Sequence, residues 1–518
     1  MKKNISYNSP DAGINTSLSH RATTGALWNL AGVFLRTLLQ FGAQVLLARM
    51  LGPEQFGIFA IGFLVVTFST FFSDIGIAYG MVQKKVLNEV DVRFVFTWQV
   101  LLGALVSLIV FIFASNIAAF FNEGRAALVI KQLSVVILIN SLAAPSLNLL
   151  KRGMDFKAIQ VCSITSYFIG YFLVGIPLAF TGFKVGAIVA AFTTQAFFNL
   201  VLLYSNTRHS LKLLAWYSEA AHQLIYGITV MLTNLTNWGL GNIDRVVIGR
   251  FFSSTFIGYY ATTWNFVNTP TTSLISAIQG TFFSASAKVQ EEKHKLRRAF
   301  LTLLNFVPIL VAPVFVCLAA IPDTVIEAIY GEAWASAAPL LRPLALIMPF
   351  NILLSISTPI LWNTGSIRKE FAISVPFLMI WVVACYFSAA ISLVAVAWTV
   401  LILNLFRGNL ILFTATRDVG LHFKEVLAIY LRASVISLIV GVSAFATDTL
   451  LKVILPQALL RLAVDMSISG TVFLLVIYFI PRVLHPEVVK LIAKLASRLP
   501  SPLQSITLRF IHFNNENA

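Results

Sequence analysis

Apolar stretches of about twenty residues recur along the whole chain, and each is long enough to cross a bilayer as an α-helix. Transmembrane β-strands would alternate in hydrophobicity with a period of two, and these stretches do not. Of the 518 residues, 58% are hydrophobic and 11% are charged, against roughly 25% charged residues in a typical soluble domain. The sequence therefore predicts an all-α, polytopic membrane protein.

We count about fourteen candidate spans, whose boundaries the hydropathy pattern fixes to within about 2–4 residues. The spans are 26–48, 56–80, 94–115, 127–149, 159–181, 185–205, 223–248, 256–284, 299–321, 338–362, 371–388, 390–412, 425–446 and 462–481. A very short connection divides the eleventh span from the twelfth, so the alternative count is thirteen.

Basic residues are distributed unevenly between the two sides of the membrane. If the amino terminus is cytoplasmic, about 26 of the 37 Lys and Arg residues lie in cytoplasmic segments and about six in the opposite loops, as the positive-inside rule requires. This count places Arg407 in a cytoplasmic segment. It predicts that both termini are cytoplasmic. It also attributes the net charge of +16 to topology and anionic lipid, not to nucleic-acid binding.

An internal repeat divides the chain into two halves. Arg49 and Gly57 recur 201 residues later as Arg250 and Gly258, and a second match aligns Gly153 with Gly365 at an offset of 212. Six spans return the chain to its starting side, so the halves have the same orientation, which is a transporter architecture. We predict two six-helix lobes related by a pseudo-twofold axis, followed by two further helices.

The predicted organisation has six parts. They are a cytoplasmic tail (1–25), an N-lobe (26–206), a cytoplasmic linker (207–222), a C-lobe (223–415), the last two spans (416–482) and a basic amphipathic tail (483–518).

Polar residues form stripes on four spans, although an arginine in the hydrocarbon region costs about 2.5 kcal/mol or more. Spans one, two, seven and eight each place such residues on one helical face. These are the first two spans of each half, so we predict that they line one hydrated cavity. The predicted cavity residues are Asn29, Arg36, Gln40, Gln44, Asp74, Asn234, Asn237, Asp244, Arg245, Asn265, Asn268 and Gln279.

A structural interpretation of the same residues stays open, because polar side chains in membranes also hydrogen-bond to neighbouring helices. By this count Asp74 and Asp244 are the only acids clearly inside spans. They either hold Arg36 and Arg245 in place or bind a proton or another cation. The three cysteines lie far apart in apolar spans, so no metal site or cofactor is expected. Coupling to a proton or sodium gradient is left open.

Three stretches resemble bacterial Wzx-type polysaccharide flippases of the multidrug/oligosaccharidyl-lipid/polysaccharide (MOP) superfamily, with the colanic-acid-exporter-like group nearest. They are "LARMLGPEQFGIFAIG" (47–62), "WNFVNTPTTSLISAIQGTFFSASAKVQEEKHKLRRAF" (264–300) and "IYGEAWASAAPLLRPLALI" (329–347). The resemblance covers nearly all of residues 20–480. It implies a MATE-like fold with a central cavity and extra C-terminal helices.

The resemblance also implies a function. Proteins of this kind move an undecaprenyl-pyrophosphate-linked oligosaccharide from the inner to the outer leaflet of the bacterial cytoplasmic membrane, by alternating access, for exopolysaccharide, O-antigen or capsule assembly. A polysaccharide polymerase or co-polymerase is the implied partner protein. The predicted cavity suits such cargo, since arginine binds phosphate through a planar fork and Asn or Gln can bind sugar hydroxyls.

Three other functions are considered. A drug or cation antiporter of the same superfamily would need an acid-rich cavity. Here the predicted spans contain two acids and at least two arginines, so acids are not in excess. A lipid II flippase would share the fold and an arginine-lined cavity, but the three stretches favour the exopolysaccharide branch. A membrane glycosyltransferase or polymerase would need a large outer loop and a pair of carboxylates, and the sequence contains neither. We therefore expect a transporter and not an enzyme.

Overall fold

The computed structural model describes residues 18–78, 81, 84, 86–217, 220–288 and 293–479. Within these ranges the chain is helical and contains no β-strand. The predicted amphipathic tail (483–518) and most of the predicted amino-terminal tail (1–25) lie outside the described residues.

Fourteen helices follow one another in the described part of the chain. They are α1 (Leu18–Asp74), α2 (Glu89–Phe120), α3 (Ala126–Arg152), α4 (Phe156–Phe180), α5 (Val185–Thr207), α6 (Ala220–Phe251), α7 (Ser254–Lys288), α8 (Lys293–Ala320), α9 (Pro322–Tyr330), α10 (Ala338–Asn363), α11 (Ile367–Ala389), α12 (Leu393–Asp418), α13 (Phe423–Ile454) and α14 (Ala458–Phe479). A π-helical segment, Phe168–Gly175, lies within α4, and a 3-10 helix, Glu332–Ala337, precedes α10.

Helix α1 contains the first two predicted spans. Gly52 (φ 75°, ψ 173°) interrupts it, and Pro53 follows. Glycine adopts this left-handed backbone at little cost, whereas other residues do not. Each of the fourteen predicted spans thus corresponds to a described helix or to one part of α1. The short helix α9 lies in the predicted outer loop.

Eleven helices in the described ranges are long and apolar enough to cross a membrane, with α1 counted once. The two long helices not among them are α6 and α7, which carry the polar stripes of predicted spans seven and eight. The predicted all-α, polytopic fold is confirmed.

The chain forms two compact units. The first comprises Met1–Thr262 and Leu378–Leu393, and the second comprises Thr263–Phe377 and Val394–Ala518. Part of the first unit's core is a buried cluster around Met81 and Phe94. In the second unit the fully buried rings of Tyr330 and Trp334 lie 5.5 Å apart.

The two copies of the repeat meet at their matching glycines, all within the first unit. A Cβ atom on Gly57 would overlap the carbonyl oxygen of Ser254, and a Cβ atom on Gly258 would overlap that of Pro53. Pro53 and Ser254 are themselves separated by the repeat offset of 201. The contact is therefore reciprocal, as at a twofold interface, and only glycine permits backbones to approach so closely.

The second match of the repeat is shifted by one residue from the sequence alignment. Helix α3 ends in a turn where Met154 donates to Lys151 O and Asp155 donates to Leu150 O; helix α10 ends in a turn with the same pattern 211 residues later. Met154 (φ 54°) is thus the counterpart of Gly365 (φ 74°). The alignment of Gly153 with Gly365 was wrong because it followed residue identity, whereas the left-handed position of this capping motif is defined by its hydrogen bonds.

Candidate functional site

Arg36 lies in the first part of α1, which is long and apolar enough to cross a membrane. It precedes the kink at Gly52 by about 24 Å at about 1.5 Å per residue, in a hydrocarbon region about 30 Å thick. Its face of α1 packs on α4, since a Cβ atom on Gly32 would overlap the side chain of Gln160. The stacked rings of Tyr167 and Tyr171, 4.3 Å apart, lie close enough for their hydroxyls to interact electrostatically with the guanidinium.

No carboxylate of the described residues pairs with Arg36. Its Nε atom is buried without a hydrogen-bond partner, and the side chain is half-buried. A cation in this position is stabilised by an anion or by water. Arg36 therefore remains available to an anionic ligand.

The predicted acids are held by neutral groups. Gln99 of α2 donates to Asp74 Oδ1. Tyr260 of α7 donates to Asp244 Oδ2 at 2.6 Å, while Oδ1 of the buried Asp244 has no partner in the described region. Neither acid forms an ion pair with Arg36 or Arg245, so the option that they hold these arginines in place does not apply to the described structure.

Arg245 lies about 9 Å from the end of α6, at about 1.5 Å per residue. Its guanidinium donates to Asn242 Oδ1 at 2.8 Å and to Gly241 O at 3.2 Å, both on the preceding turn of the same helix. Of the other α6 residues predicted to line the cavity, Asn234 is half-buried and Asn237 is exposed.

The remaining predicted residues are divided between the units. Gln40 and Gln44 are half-buried on α1 in the first unit. Asn265 is exposed and Asn268 half-buried on α7, in the second unit. The side chains of Asn29 and Gln279 lie outside the described residues, although their backbones are helical. The common cavity itself stays a prediction.

The second part of α1 contacts α7 near its start, and the residues just after its end contact α6. At the predicted outer end the contact is that of Gly57 with Gly258. At the predicted cytoplasmic end, a Cβ atom on either Gly76 or Gly227 would overlap the backbone opposite. The first unit thus contains close backbone contacts at both of these positions.

Two arginines, Arg250 and Arg125, form hydrogen bonds beside the contact of Gly57 with Gly258, and we call this group the outer clamp. Arg250, the repeated arginine, donates to Phe120 O at 2.9 Å and to Asn122 Oδ1 at 2.7 Å. Arg125 donates to Glu123 at 2.8 Å, to Glu54 at 2.6 Å and to Ser254 Oγ at 3.3 Å.

The electrostatics of the clamp follow from these contacts. The hydrogen bonds from Arg125 hold the pKa of the Glu123 carboxyl below its usual range, against the opposing effect of burial. The carboxylates of Glu123 and Glu54 raise the pKa of Arg125.

The sequence count missed a buried arginine. Arg407, counted as cytoplasmic, lies inside α12, about 16 Å before its last residue at about 1.5 Å per residue. It is 8% exposed, and its nearest hydrogen-bond partner is Ser374 Oγ at 3.4 Å. The signal was present, since Arg407 falls within the predicted span 390–412.

The tally of two acids inside spans was also wrong. Asp448 of α13 and Asp465 of α14 are buried within helices that can span the membrane. Asp465 falls within the predicted span 462–481, where the long apolar runs on either side obscured it.

A cavity of about 720 Å³ in the second unit lies apart from the predicted residues. It is mainly apolar, and its wall includes Phe350, Leu412, Phe413, Arg417 and Tyr430 from α10, α12 and α13.

Comparison with known proteins gives the family. The sequence profile described as "Polysaccharide biosynthesis protein" matches residues 46–339, more than half of the chain. The chain belongs to the polysaccharide biosynthesis protein family. Among the relatives of this family member, the lipopolysaccharide biosynthesis protein WzxC of Escherichia coli K12 is 24% identical over 66% of this chain and 70% of its own length. The teichuronic acid biosynthesis protein TuaB of Bacillus subtilis 168 is 22% identical over 88% of this chain and 95% of its own.

The fold of this family member is shared with a solved structure. The lipid II flippase MurJ, in an inward closed conformation, superposes with a TM-score of 0.71 at 14% identity, over 88% of this chain and 99% of MurJ. The predicted MATE-like membrane fold and the resemblance to Wzx-type flippases are confirmed. The protein is a multi-pass membrane transport protein of polysaccharide biosynthesis and not an enzyme.

Proposed function

We propose that this protein flips an undecaprenyl-pyrophosphate-linked oligosaccharide from the inner to the outer leaflet of the bacterial cytoplasmic membrane, by alternating access. Family membership supports the polysaccharide cargo. The observation that carries the proposal within the chain is Arg36, a cation in a helix apolar enough to cross a membrane, with no carboxylate partner among the described residues. A pyrophosphate headgroup supplies the missing anion.

The chemistry of the other side chains predicted to line the cavity fits a glycan attached to that headgroup. Gln40 and Gln44 continue the Arg36 face of α1, and the exposed Asn237 and Asn265 can exchange hydrogen bonds with sugar hydroxyls. Polar side chains lower the cost of moving a hydrated glycan through hydrocarbon, while the lipid tail stays in the bilayer.

Two alternatives are weaker. A cation antiporter would need an acid-rich cavity, whereas the two acids predicted to line this one, Asp74 and Asp244, are matched by the two arginines Arg36 and Arg245. A lipid II flippase has the same fold, but the family profile and the sequence relatives belong to polysaccharide biosynthesis.

Replacement of Arg36 tests the proposal. The full chain is reconstituted in proteoliposomes with a fluorescent undecaprenyl-pyrophosphate oligosaccharide, and the fraction reaching the opposite leaflet is followed by its accessibility to an impermeant quencher. Loss of a charge-assisted hydrogen bond costs about 1.5–3 kcal/mol, so Arg36→Gln is expected to slow flipping about 10- to 100-fold. Arg36→Lys retains the charge but not the planar fork of the guanidinium, so its flipping rate is expected to lie between those of the wild type and Arg36→Gln.

Arg368→Gln is the matched control, since Arg368 is exposed near the start of α11. It should flip at the wild-type rate. Equal rates for Arg36→Gln and Arg368→Gln would remove Arg36 from the mechanism. A wild-type protein that fails to flip this lipid would overturn the proposed function itself.

A further inference from the structure

The C-terminal pair of helices, outside both predicted lobes, contains a buried carboxyl group without a partner. Asp465 of α14 has 0% exposure, and neither of its oxygens has a hydrogen-bond partner in the described part of the chain. An ionised carboxylate in such a place costs several kcal/mol. The group therefore requires a proton or another cation.

The charged groups nearest to Asp465 on its own helix and on α9 pair with each other. Arg461, one turn earlier on α14, donates to Glu327 Oε2 of α9 at 3.0 Å and not to Asp465. Ser469, one turn later, is buried, and its hydroxyl has no partner among the described residues. Along α14, Asp465 thus lies between Arg461, which is paired with Glu327, and the Ser469 hydroxyl, which has no hydrogen-bond partner among the described residues.

The charged residues that α13 contributes also have partners other than Asp465. Asp448 lies close enough to Asp465 for their charges to interact, but it accepts a hydrogen bond from Thr324 at 2.5 Å and an ion pair from Lys452 at 3.0 Å. Lys452 is shared with the exposed Asp323 at 3.8 Å. A second negative charge at Asp465 would be repelled by Asp448 and offset only in part by Arg461 and Lys452, which are each paired with another carboxylate.

The depth of the two acids matches. Asp465 lies about 10 Å from the start of α14, and Asp448 lies about 9 Å from the end of α13, at about 1.5 Å per residue. The turn between these helices is predicted to be extracytoplasmic. Both acids therefore lie about two turns inside the ends of their helices, on the predicted extracytoplasmic side.

A proton fits this site better than a metal ion. Ca²⁺ takes about 6–8 oxygen ligands and Mg²⁺ about six, whereas the unpartnered oxygens here are those of Asp465 and Ser469. The thiol of Cys317 from α8 lies close enough to Ser469 and Asp465 to interact with both. A proton needs a single carboxylate oxygen.

Two polar residues lie between Asp465 and the surface of the second unit. The side chain of Glu327 is 47% exposed, and its partner Arg461 is 9% exposed. Glu327, Arg461 and Asp465 thus follow one another inward from the surface, with one helical turn between Arg461 and Asp465.

We propose that Asp465 is a proton-binding site of the C-terminal helix pair, which exchanges a proton with water on the extracytoplasmic side, past the Arg461–Glu327 ion pair. The carboxylate takes a proton from water on that side, its charge changes from −1 to 0, and the reverse step returns the proton to the same side.

Infrared difference spectroscopy on the full chain in lipid vesicles tests this directly. A step from mildly alkaline to mildly acidic pH should produce the carbonyl-stretch band of a protonated carboxyl in the wild type. The band should disappear in Asp465→Asn and shift in frequency in Asp465→Glu. Asp323→Asn removes an exposed carboxyl of the same cluster and should retain the band.

Either of two results would overturn the proposal. One is a band of equal amplitude in Asp465→Asn and the wild type. The other is an Asp465-dependent band that does not change with pH, which would mean a permanently protonated group. If Asp465→Asn fails to fold, the frequency shift in Asp465→Glu decides. The measurement involves no transported lipid, so it is independent of the proposed flipping activity.

Discussion

The two copies of the repeat agree where backbones touch and differ where side chains meet the membrane interior. Gly57 and Gly258 make the same reciprocal contact, and the turns after α3 and α10 have the same hydrogen bonds. At depth, however, Arg36 corresponds to Asn237 and Gln44 to Arg245 at the offset of 201. Backbone geometry is therefore common to both copies, whereas each copy carries its own arrangement of polar side chains.

The largest effect is expected where the copies touch. Gly258→Ala places a Cβ atom against the Pro53 carbonyl, which cannot rotate away, and should lower the free energy of unfolding by about 3 kcal/mol. Gly57→Ala should do the same because the contact is reciprocal. Thermal unfolding of the detergent-purified protein, followed by intrinsic fluorescence, measures both changes.

Gly42→Ala in the same helix α1 is the control, since no atom lies within 4 Å of a Cβ atom there. It should be neutral or stabilising by up to about 1 kcal/mol, through helix propensity. If Gly42→Ala and Gly258→Ala unfold at the same temperature, the two glycine positions are equivalent and the close contact is absent.

A smaller loss is expected from the clamp beside that contact. Arg250→Lys keeps the charge but cannot reach Phe120 O and Asn122 Oδ1 together, and it should cost about 1 kcal/mol, near the lower end for a charged hydrogen bond because the site is exposed. The same unfolding measurement applies, with Arg368→Lys as control. If Arg250→Lys is as stable as the wild type, the planar geometry of the Arg250 guanidinium does not contribute to the free energy of unfolding.

The corrected alignment of the turns predicts effects of opposite sign. Gly365→Ala forces a side chain into the left-handed region and should destabilise the protein by about 1 kcal/mol. Met154→Gly relieves the same strain in the first copy and should stabilise it by up to about 1 kcal/mol, because Met154 is half exposed. Gly153→Ala is the control, since Gly153 has an ordinary right-handed φ of −71°.

The smallest effect is a pH dependence of the outer clamp. Hydrogen bonds from Arg125 hold the pKa of Glu123 below its usual value of about 4.3. The associated stability is complete above that value and is lost as the pH falls through the lowered pKa of the folded state. Arg125 is 56% exposed, so the loss should stay under about 1 kcal/mol.

The Glu123→Gln variant sharpens this measurement. Its unfolding free energy, compared with that of the wild type across the acidic range, should show a smaller pH dependence. Parallel pH curves for the two proteins would mean that Glu123 does not contribute to it.

Sequence patterns predicted the helices well and the polar contacts poorly. The spans, the break at Gly52 and the repeat follow from hydropathy, glycine and local identity. In contrast, the partners of Asp74 and Asp244 are Gln99 and Tyr260, which lie far away in sequence or on another helix. Arg407 and Asp465 were misjudged because a single charge in a long apolar run changes the average little, although it dominates the local energetics.

The sequence by itself determined that this chain crosses the membrane as a series of helices, since twenty apolar residues can satisfy their backbone hydrogen bonds in lipid only as a helix. The two six-helix lobes stay a prediction from the repeat. Only the tertiary structure decided which charges are paired, because pairing depends on side chains that meet from different helices. For that reason the unpartnered Arg36 and Asp465, on which both proposals rest, became recognisable only in the folded chain.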